Sequence, residues 1–145
     1  MLIFGACKSH KNLTAATMVK PQLVIRLQTT VCYGTCPAYI VEIFDNDSLS
    51  YTGEKFVAKE GNISKKLPKG TVNQLVEKFR GANFFKFQNQ YTAQITDFPT
   101  TYLSFTDNGN TKKVMDYYNA PDSLKKLEGL VSDLVKEEVT VKNER

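Results

Sequence analysis

Residues 39–52, YIVEIFDNDSLSYT, carry the clearest β-hairpin pattern in the chain. The first part, residues 39–44, is rich in apolar and β-branched side chains, which predicts a central strand. Residues 45–48 are turn formers, and residues 49–52 alternate apolar and polar side chains as a half-buried strand does. The stretch therefore predicts two antiparallel strands joined by a tight turn, and it indicates a sheet-based fold.

Four further strands are predicted on either side of this hairpin. Residues 23–30 alternate apolar and polar side chains, and a short strand is expected at residues 55–58, between two glycines. Residues 100–106 and 112–118 flank Asn108-Gly109. Because Asn-Gly is the strongest short-range hairpin signal, these last two strands should pair with each other.

Helical periodicity begins at Thr71 and again near Asn119. Thr71 and Gln74 have the spacing of a capping box, and Gly81 is typical of a helix end. Pro121 lies in the first turn of the second helix. In both helices apolar side chains recur three and four positions apart, which predicts one buried face. These faces consist of Val72, Leu75, Val76 and Phe79 in the first helix and Leu124, Leu127, Val131 and Leu134 in the second.

The elements together predict a single α+β domain over residues 22–136. We expect an antiparallel sheet of about six strands packed by two helices, in the order ββββ-α-ββ-α. A chain of 145 residues is long enough for one hydrophobic core, and no repeat or linker divides the predicted domain. Residues 137–145 are predicted to be a charged C-terminal tail.

The N-terminal sequence is typical of the end of a bacterial lipoprotein signal. Residues 1–7, MLIFGAC, give an apolar run, two small residues and a cysteine. We expect Cys7 to carry lipid and residues 8–21 to tether an exported domain to the membrane, facing the periplasm or the cell surface. A complete signal has a basic n-region and roughly 7–15 apolar residues. Two interpretations therefore stay open: a start codon upstream of Met1, or an ordinary N-terminus without lipid.

The distribution of charge argues against a nucleic-acid partner. The chain has 19 Lys and Arg against 15 Asp and Glu, but three lysines precede Pro21, which leaves 16 basic and 15 acidic residues from there on. A nucleic-acid surface requires a concentrated basic face. We predict no nucleic-acid binding.

Cys32 and Cys36 are predicted to form a disulfide in an exported protein. Residues four apart in a strand are about 13 Å apart, whereas a disulfide needs Cα atoms roughly 4.4–6.8 Å apart, so the segment must turn. Gly34 and Pro37 favour such a turn. Free or redox-active thiols are the alternative. A zinc site lacks ligands, because the single histidine, His10, lies in the tether.

Four blocks of sequence carry a resemblance to a known family. They are CYGTCPAY at residues 32–39, the hairpin end at residues 51–53, Asn83-Phe84-Phe85, and TDFPT at residues 96–100. In this order they resemble an uncharacterised family, domain of unknown function 6438, found largely in Bacteroidota and often in predicted lipoproteins. The Cys-Tyr-Gly-Thr-Cys-Pro block is the specific part. The resemblance covers roughly residues 22–134 and implies one domain at the cell envelope, with no catalytic residue assigned.

Catalysis has little support in the sequence. Without a histidine in the domain, Ser-His-Asp and Cys-His mechanisms lack a base. A carboxylate pair for glycoside hydrolysis would need two acids about 5–9.5 Å apart, and the candidates are Glu42, Asp45, Asp47 and Asp97. Turn formation and strand exposure explain the same four residues. We assign no catalytic residue, no metal and no cofactor.

The expected function is therefore a membrane-tethered envelope domain that binds a protein or glycan without catalysis. A carboxylate-based hydrolase or a thiol redox protein of the envelope is the alternative. The interaction surface is predicted at the cysteine loop and the TDFPT segment, because Tyr suits contacts that are apolar at one end and wet at the other. Its residues are Tyr33, Gly34, Thr35, Tyr39, Asp97, Phe98 and Pro99.

Overall fold

The computed structural model describes residues 17–141, and Cys7 with most of the predicted tether lies outside them. A short 3-10 helix spans Phe84–Lys86. In chain order the strands and helices are β1 (Leu23–Thr29), β2 (Ala38–Phe44), β3 (Ser48–Lys55), β4 (Gly61–Lys66), α1 (Thr71–Gly81), β5 (Gln90–Tyr91), β6 (Thr101–Asp107), β7 (Asn110–Asp116), α2 (Asp122–Asp133) and α3 (Lys136–Val139).

Within residues 17–141 the strands form one seven-stranded sheet in the order β4-β3-β2-β1-β6-β7-β5. Neighbouring strands are antiparallel, apart from β5 and β7, which are parallel. The α+β class, the antiparallel sheet and the two main helices are confirmed. The additional strand is β5, whose two residues are too few to show alternation in the sequence.

The fourth strand is Gly61–Lys66, so its prediction at residues 55–58 is wrong. Strand β3 continues to Lys55, and Phe56 then adopts a φ of 55°. Gly61, with a φ of 90°, begins β4. Positive φ interrupts extended backbone, which is why the residues between these two positions form a connection rather than a strand.

The helices pack on one face of the sheet. Side chains alternate between faces along a strand, and the fully buried ones fall in one register: Ile25 of β1 lies opposite Ile43 of β2 and Phe105 of β6. The predicted helix faces enter this core through Val72, Leu75 and Phe79 of α1 and through Leu124, Leu127 and Val131 of α2. The opposite face is half-buried and mainly polar.

Helix α1 is capped from a distant turn. The backbone N–H groups of Gly70 and Val72 donate to Asp47 Oδ2 and Oδ1 at 2.9 and 2.8 Å. These two donors lower the pKa of the Asp47 carboxyl. The predicted capping box of Thr71 and Gln74 is wrong, because the Thr71 hydroxyl donates instead to the carbonyl of Pro68 at 2.6 Å.

The packed region extends beyond the predicted boundary at residue 136. Helix α3 lies against the connection between β3 and β4, where the N–H groups of Ala58 and Lys59 donate to the carbonyls of Val139 and Glu138 at 3.2 and 2.9 Å. Glu138 is 7% exposed, and its carboxylate forms an ion pair with Lys65 Nζ at 3.2 Å. The start of the predicted charged tail is therefore part of the domain.

Candidate binding site

The connection between β1 and β2 is a loop closed by a disulfide. Cys32 and Cys36 are bonded, with their Cα atoms 5.6 Å apart, which confirms the predicted pair. At the base of the loop, the Thr29 hydroxyl donates to the carbonyl of Pro37 at 2.8 Å. Tyr33 at its tip is 89% exposed. The disulfide and the strand ends thus hold an aromatic side chain out in solvent.

A second segment, residues 95–100, lies beside this loop. The Thr30 N–H donates to the Thr100 carbonyl at 3.0 Å, and the Thr100 N–H donates to the Thr30 hydroxyl at 3.0 Å. The hydroxyl of Tyr117 donates to the Ile95 carbonyl at 2.6 Å. These bonds attach the segment to the ends of β1 and β7, so its position relative to the loop is determined by the sheet.

An open cavity of about 450 Å³ lies between the loop and the segment. Phe98 is half-exposed, and its ring meets those of Tyr117 and Tyr118 at centroid distances of 6.3 and 5.8 Å, nearly perpendicular in the first case at 83°. The cavity lies in the usual size range for a ligand site. Its lining residues are Val31, Cys32, Tyr33, Ile95, Thr96, Asp97, Phe98 and Tyr117.

Asp97 is the charged residue of this lining. It adopts a φ of 78°, a left-handed conformation that Asp and Asn tolerate better than most residues. Among residues 17–141 no ion pair or side-chain hydrogen bond engages its carboxylate. The cavity therefore combines aromatic walls with one negative charge.

The cysteine loop and residues 95–100, which line the cavity, both lie in the part of the chain that matches a protein-family model. A family model described as domain of unknown function DUF6438 matches residues 23–135. The chain belongs to the DUF6438 family. Comparison with curated proteins gives no match. The DUF6438 match spans the sheet, α1, α2 and both segments of the cavity, so the site lies wholly inside the family domain.

The DUF6438 domain brings several of the predicted surface residues together. Tyr33, Asp97 and Phe98 line the cavity directly. Gly34 and Thr35 lie in the same loop, and Pro99 follows Phe98. Gly34 does not adopt a positive φ, so the turn of the loop does not use the conformational freedom that glycine was predicted to provide.

Tyr39 does not belong to this surface, which corrects the prediction. It is 6% exposed, and its ring packs 6.0 Å from that of Tyr51 in the core. A register shift at Ala38 and Tyr39 precedes the regular pairing of β2 with β3. Burial raises the pKa of the Tyr39 hydroxyl. The residue is part of the helix-facing side of the sheet rather than of the loop.

Sequence reasoning missed Val31, Ile95 and Tyr117 of the cavity. Val31 and Tyr117 closely follow β1 and β7, and nothing in the local sequence marks them as lining a site. No periodic pattern separates an exposed strand-end tyrosine from a buried one. The proximity of Tyr117 to Phe98 depends on pairing between β6 and β7, and the Asn108-Gly109 turn is the available sequence signal for that pairing.

Asp97 is not brought near the other carboxylates considered for hydrolysis. The turn with Asp45 and Asp47 lies at one end of β2 and the cavity with Asp97 at the other, about 20 Å away for a strand of this length. Glu42 lies between them and pairs with Arg26 at 3.4 Å. Asp45 accepts a hydrogen bond from the Gln22 N–H at 3.0 Å. The acids of β2 and its turn therefore have local structural roles.

A different pair of acids, Asp116 and the partly buried Glu128, lies between β7 and α2. Asp116 is 3% exposed and forms an ion pair with Lys125. Burial, reinforced by the nearby charge of Asp116, raises the pKa of Glu128 to about 8, although Lys125 opposes the shift. We expect Glu128 to hold a proton at neutral pH. Neither acid lines the DUF6438 cavity, so this cluster belongs to the packing of α2.

Among residues 17–141 no group of three or more His, Cys, Asp or Glu side chains could hold a metal ion. In the same range no helix is both long enough and apolar enough to cross a bilayer.

Proposed function

We propose that this protein is a non-enzymatic binding module of the cell envelope and that it recognises its partner through the cavity beside the disulfide loop. The observation that carries the proposal is that the two most distinctive sequence blocks line one open cavity with exposed aromatic side chains. Tyr and Phe are suited to this role because they provide large contact areas at a small cost in conformational entropy. The disulfide restricts the loop in advance of binding, which reduces the ordering cost further.

The envelope location is supported by the sequence around Cys7. A lipid there would leave 15 residues between the anchor and Leu23. Such a tether would keep the domain close to a membrane and let it reorient towards a partner. The apolar, small-residue and cysteine pattern of residues 1–7 is the basis for this part of the proposal.

The location is tested by the intact mass of the protein purified from its native host in detergent. A mass that begins at acylated Cys7, with two thiols that become labelled only after reduction, is the expected result. An unmodified N-terminus with three labelled thiols before reduction would exclude both the lipid anchor and an oxidising compartment.

The binding role is tested by site-specific photo-crosslinking in the native host. A photoreactive phenylalanine analogue replaces Tyr33 in one variant and Phe85 in the control, because Phe85 is also exposed, at 42%, but lies outside the cavity. We expect a discrete adduct from position 33 that is lost when Phe98 is also changed to Ala. Equal labelling from both positions, or no adduct from either, would contradict the proposed site.

A further inference from the structure

The chemistry of the cavity indicates what kind of group it binds. The aromatic residues of the lining are Tyr33, Phe98 and Tyr117, and its charged residue is Asp97. No Lys or Arg is among the lining residues that the structure describes. Aromatic faces and a carboxylate both attract cations, the first through the ring quadrupole and the second through its charge.

The rings of Phe98 and Tyr117 are arranged so that a cation can contact both of them. Phe98 and Tyr117 are inclined by 83° with centroids 6.3 Å apart, so they form two walls of a corner. The hydrogen bond from the Tyr117 hydroxyl to Ile95 holds one of these rings in place. Tyr33, in the disulfide loop, also lines the cavity. Cation–π contacts operate within about 6 Å of a ring centroid, a distance that this corner allows.

The openness of the cavity favours a side chain of a larger partner over a free small molecule. Sites for small ligands usually enclose most of the ligand surface, whereas here Tyr33 is 89% and Phe98 50% exposed. A long basic side chain could place its charged end between the rings and beside Asp97, while the rest of the partner covered the exposed rim. Such aromatic anchors surrounded by a less important rim are common in protein interfaces.

We infer that the cavity binds a lysine or arginine side chain presented by a protein partner, through the rings of Tyr33, Phe98 and Tyr117 and the carboxylate of Asp97. This inference rests on the proposed binding function and specifies the chemistry of the partner. It is consistent with the carboxylate of Asp97, which forms no ion pair among residues 17–141 and is therefore available to a basic group of the partner.

The inference is tested by NMR titration of the full-length chain with capped pentapeptides, Gly-Gly-Xaa-Gly-Gly, in which Xaa is Lys, Arg or norleucine. Norleucine is the matched control because it has nearly the shape of lysine without its charge. We expect saturable shifts at residues 31–33, 95–98 and 117 with the Lys or Arg peptide, and at least about tenfold weaker binding of the norleucine peptide. Added salt should weaken the binding, because part of the attraction is electrostatic.

Two variants separate charge from aromatic contact. Asp97→Asn keeps a residue that tolerates the positive φ, and it should weaken binding of the Lys peptide about fivefold or more. Phe98→Leu keeps an apolar side chain but removes the ring, and it should weaken binding to a similar extent. Glu60→Gln makes the same charge change at an exposed position outside the cavity and should leave the affinity unchanged. The amide spectrum of each variant reports whether the fold is retained.

Several results would overturn the inference. These are binding of the norleucine peptide as tight as that of the Lys peptide, an unchanged affinity in Asp97→Asn, shifts that map elsewhere, or no binding of any peptide. Binding of tetramethylammonium without binding of either basic peptide would replace the protein partner with a small quaternary amine. In each case a Tyr33-specific crosslink in the native host would still support the binding function, so the failures of the two proposals are distinguishable.

Discussion

Asp47 shows how one side chain links two elements that are separate in the sequence. It takes a φ of 61° in the turn after β2 and accepts hydrogen bonds from the Gly70 and Val72 N–H groups at the start of α1. Its carboxylate thus satisfies donors that a helix start otherwise leaves unpaired. The cap also lies where the negative charge interacts favourably with the helix dipole.

Replacing Asp47 should lower thermal stability through the cap. We expect Asp47→Gly, which tolerates the positive φ, to lower the melting temperature, and Asp47→Asn to lower it less, since an amide oxygen still accepts one bond. The pKa of the carboxyl is lowered in the folded state, so its contribution is present above the unfolded pKa and is lost as pH falls through the folded pKa. Thermal scans should therefore show the gap between wild type and Asp47→Asn closing in acid. A gap independent of pH would contradict the charge-assisted cap.

Gly53 is required because neighbouring atoms leave no room for a side chain, and not because the backbone has a positive φ. A Cβ at this position would overlap the Lys59 carbonyl oxygen and lie 2.7 Å from the Tyr51 hydroxyl. We expect Gly53→Ala to reduce the free energy of unfolding by at least about 2 kcal/mol, as overpacked substitutions do. Urea denaturation measures the change.

Gly129 is the matched control for Gly53. It lies inside α2, where an added Cβ would have nothing within 4 Å, and Gly→Ala in a helix stabilises by up to about 1 kcal/mol. Opposite signs for Gly53→Ala and Gly129→Ala are the expected result. A neutral Gly53→Ala would mean that the connection between β3 and β4 moves freely.

At the scale of elements, the disulfide loop should affect binding more than stability. Cys32 and Cys36 close a very short loop, for which the chain-entropy model gives about 2 kcal/mol. We expect the double variant Cys32→Ser, Cys36→Ser to fold with a modest decrease in the free energy of unfolding and with clearly weaker binding at the cavity. Urea denaturation and the peptide titration measure the two effects. Global unfolding of the double variant would assign the disulfide a structural role instead.

The contact between α2 and β7 should make stability depend on pH. The pKa of Glu128 is raised to about 8, mainly by burial, with Asp116 of β7 adding to the shift and Lys125 of α2 opposing it. The folded state therefore binds a proton that the unfolded chain releases at lower pH, so this contribution is complete below the unfolded pKa and is lost as pH rises towards 8.

Glu128→Gln should remove that contribution. Urea denaturation across neutral pH, from mildly acidic to mildly basic buffer, should show the wild type losing stability relative to Glu128→Gln as pH rises. Glu137→Gln changes an exposed acid of α3 and serves as the control. Parallel pH profiles for wild type and Glu128→Gln would contradict a raised pKa at this residue.

At the scale of the whole molecule, the C-terminal residues join distant parts of the chain. Helix α3 accepts two backbone hydrogen bonds from Ala58 and Lys59, and Lys65 pairs with Glu138. The Tyr51 hydroxyl, whose pKa is raised to about 12 chiefly by burial, donates to the Lys59 carbonyl at 3.0 Å nearby. These contacts cover one side of the hydrophobic core beside the connection between β3 and β4.

Truncation tests the position of the C-terminal boundary. A chain that ends at Lys136 should be less stable than one that ends at Val141 by about 2 kcal/mol, because it loses two backbone hydrogen bonds and the partner of Lys65. The comparison is made by urea denaturation, with the full chain as reference. Equal stability of the two truncated chains would restore the boundary predicted from sequence.

The sequence by itself determined the α+β class, the hairpin around residues 45–48, the Asn108-Gly109 turn, the two main helices and the cysteine pair. These features are local. The pattern of apolar side chains and the φ preferences of a few turn residues act over a few positions, and Asn108 and Gly109 indeed adopt φ values of 49° and 78°. The same local patterns misplaced β4, because alternation did not reveal the positive φ of Phe56.

Only the tertiary structure decided which residues meet. The cavity joins residues 31–33 to residues 95–98 and Tyr117 because β1 pairs with β6 and β6 with β7. Packing of the sheet against the helices likewise buries Tyr39, brings Asp47 to α1 and raises the pKa of Glu128. Such contacts depend on the free energy of the whole assembled core and on the desolvation that it imposes. No short-range sequence pattern contains that information.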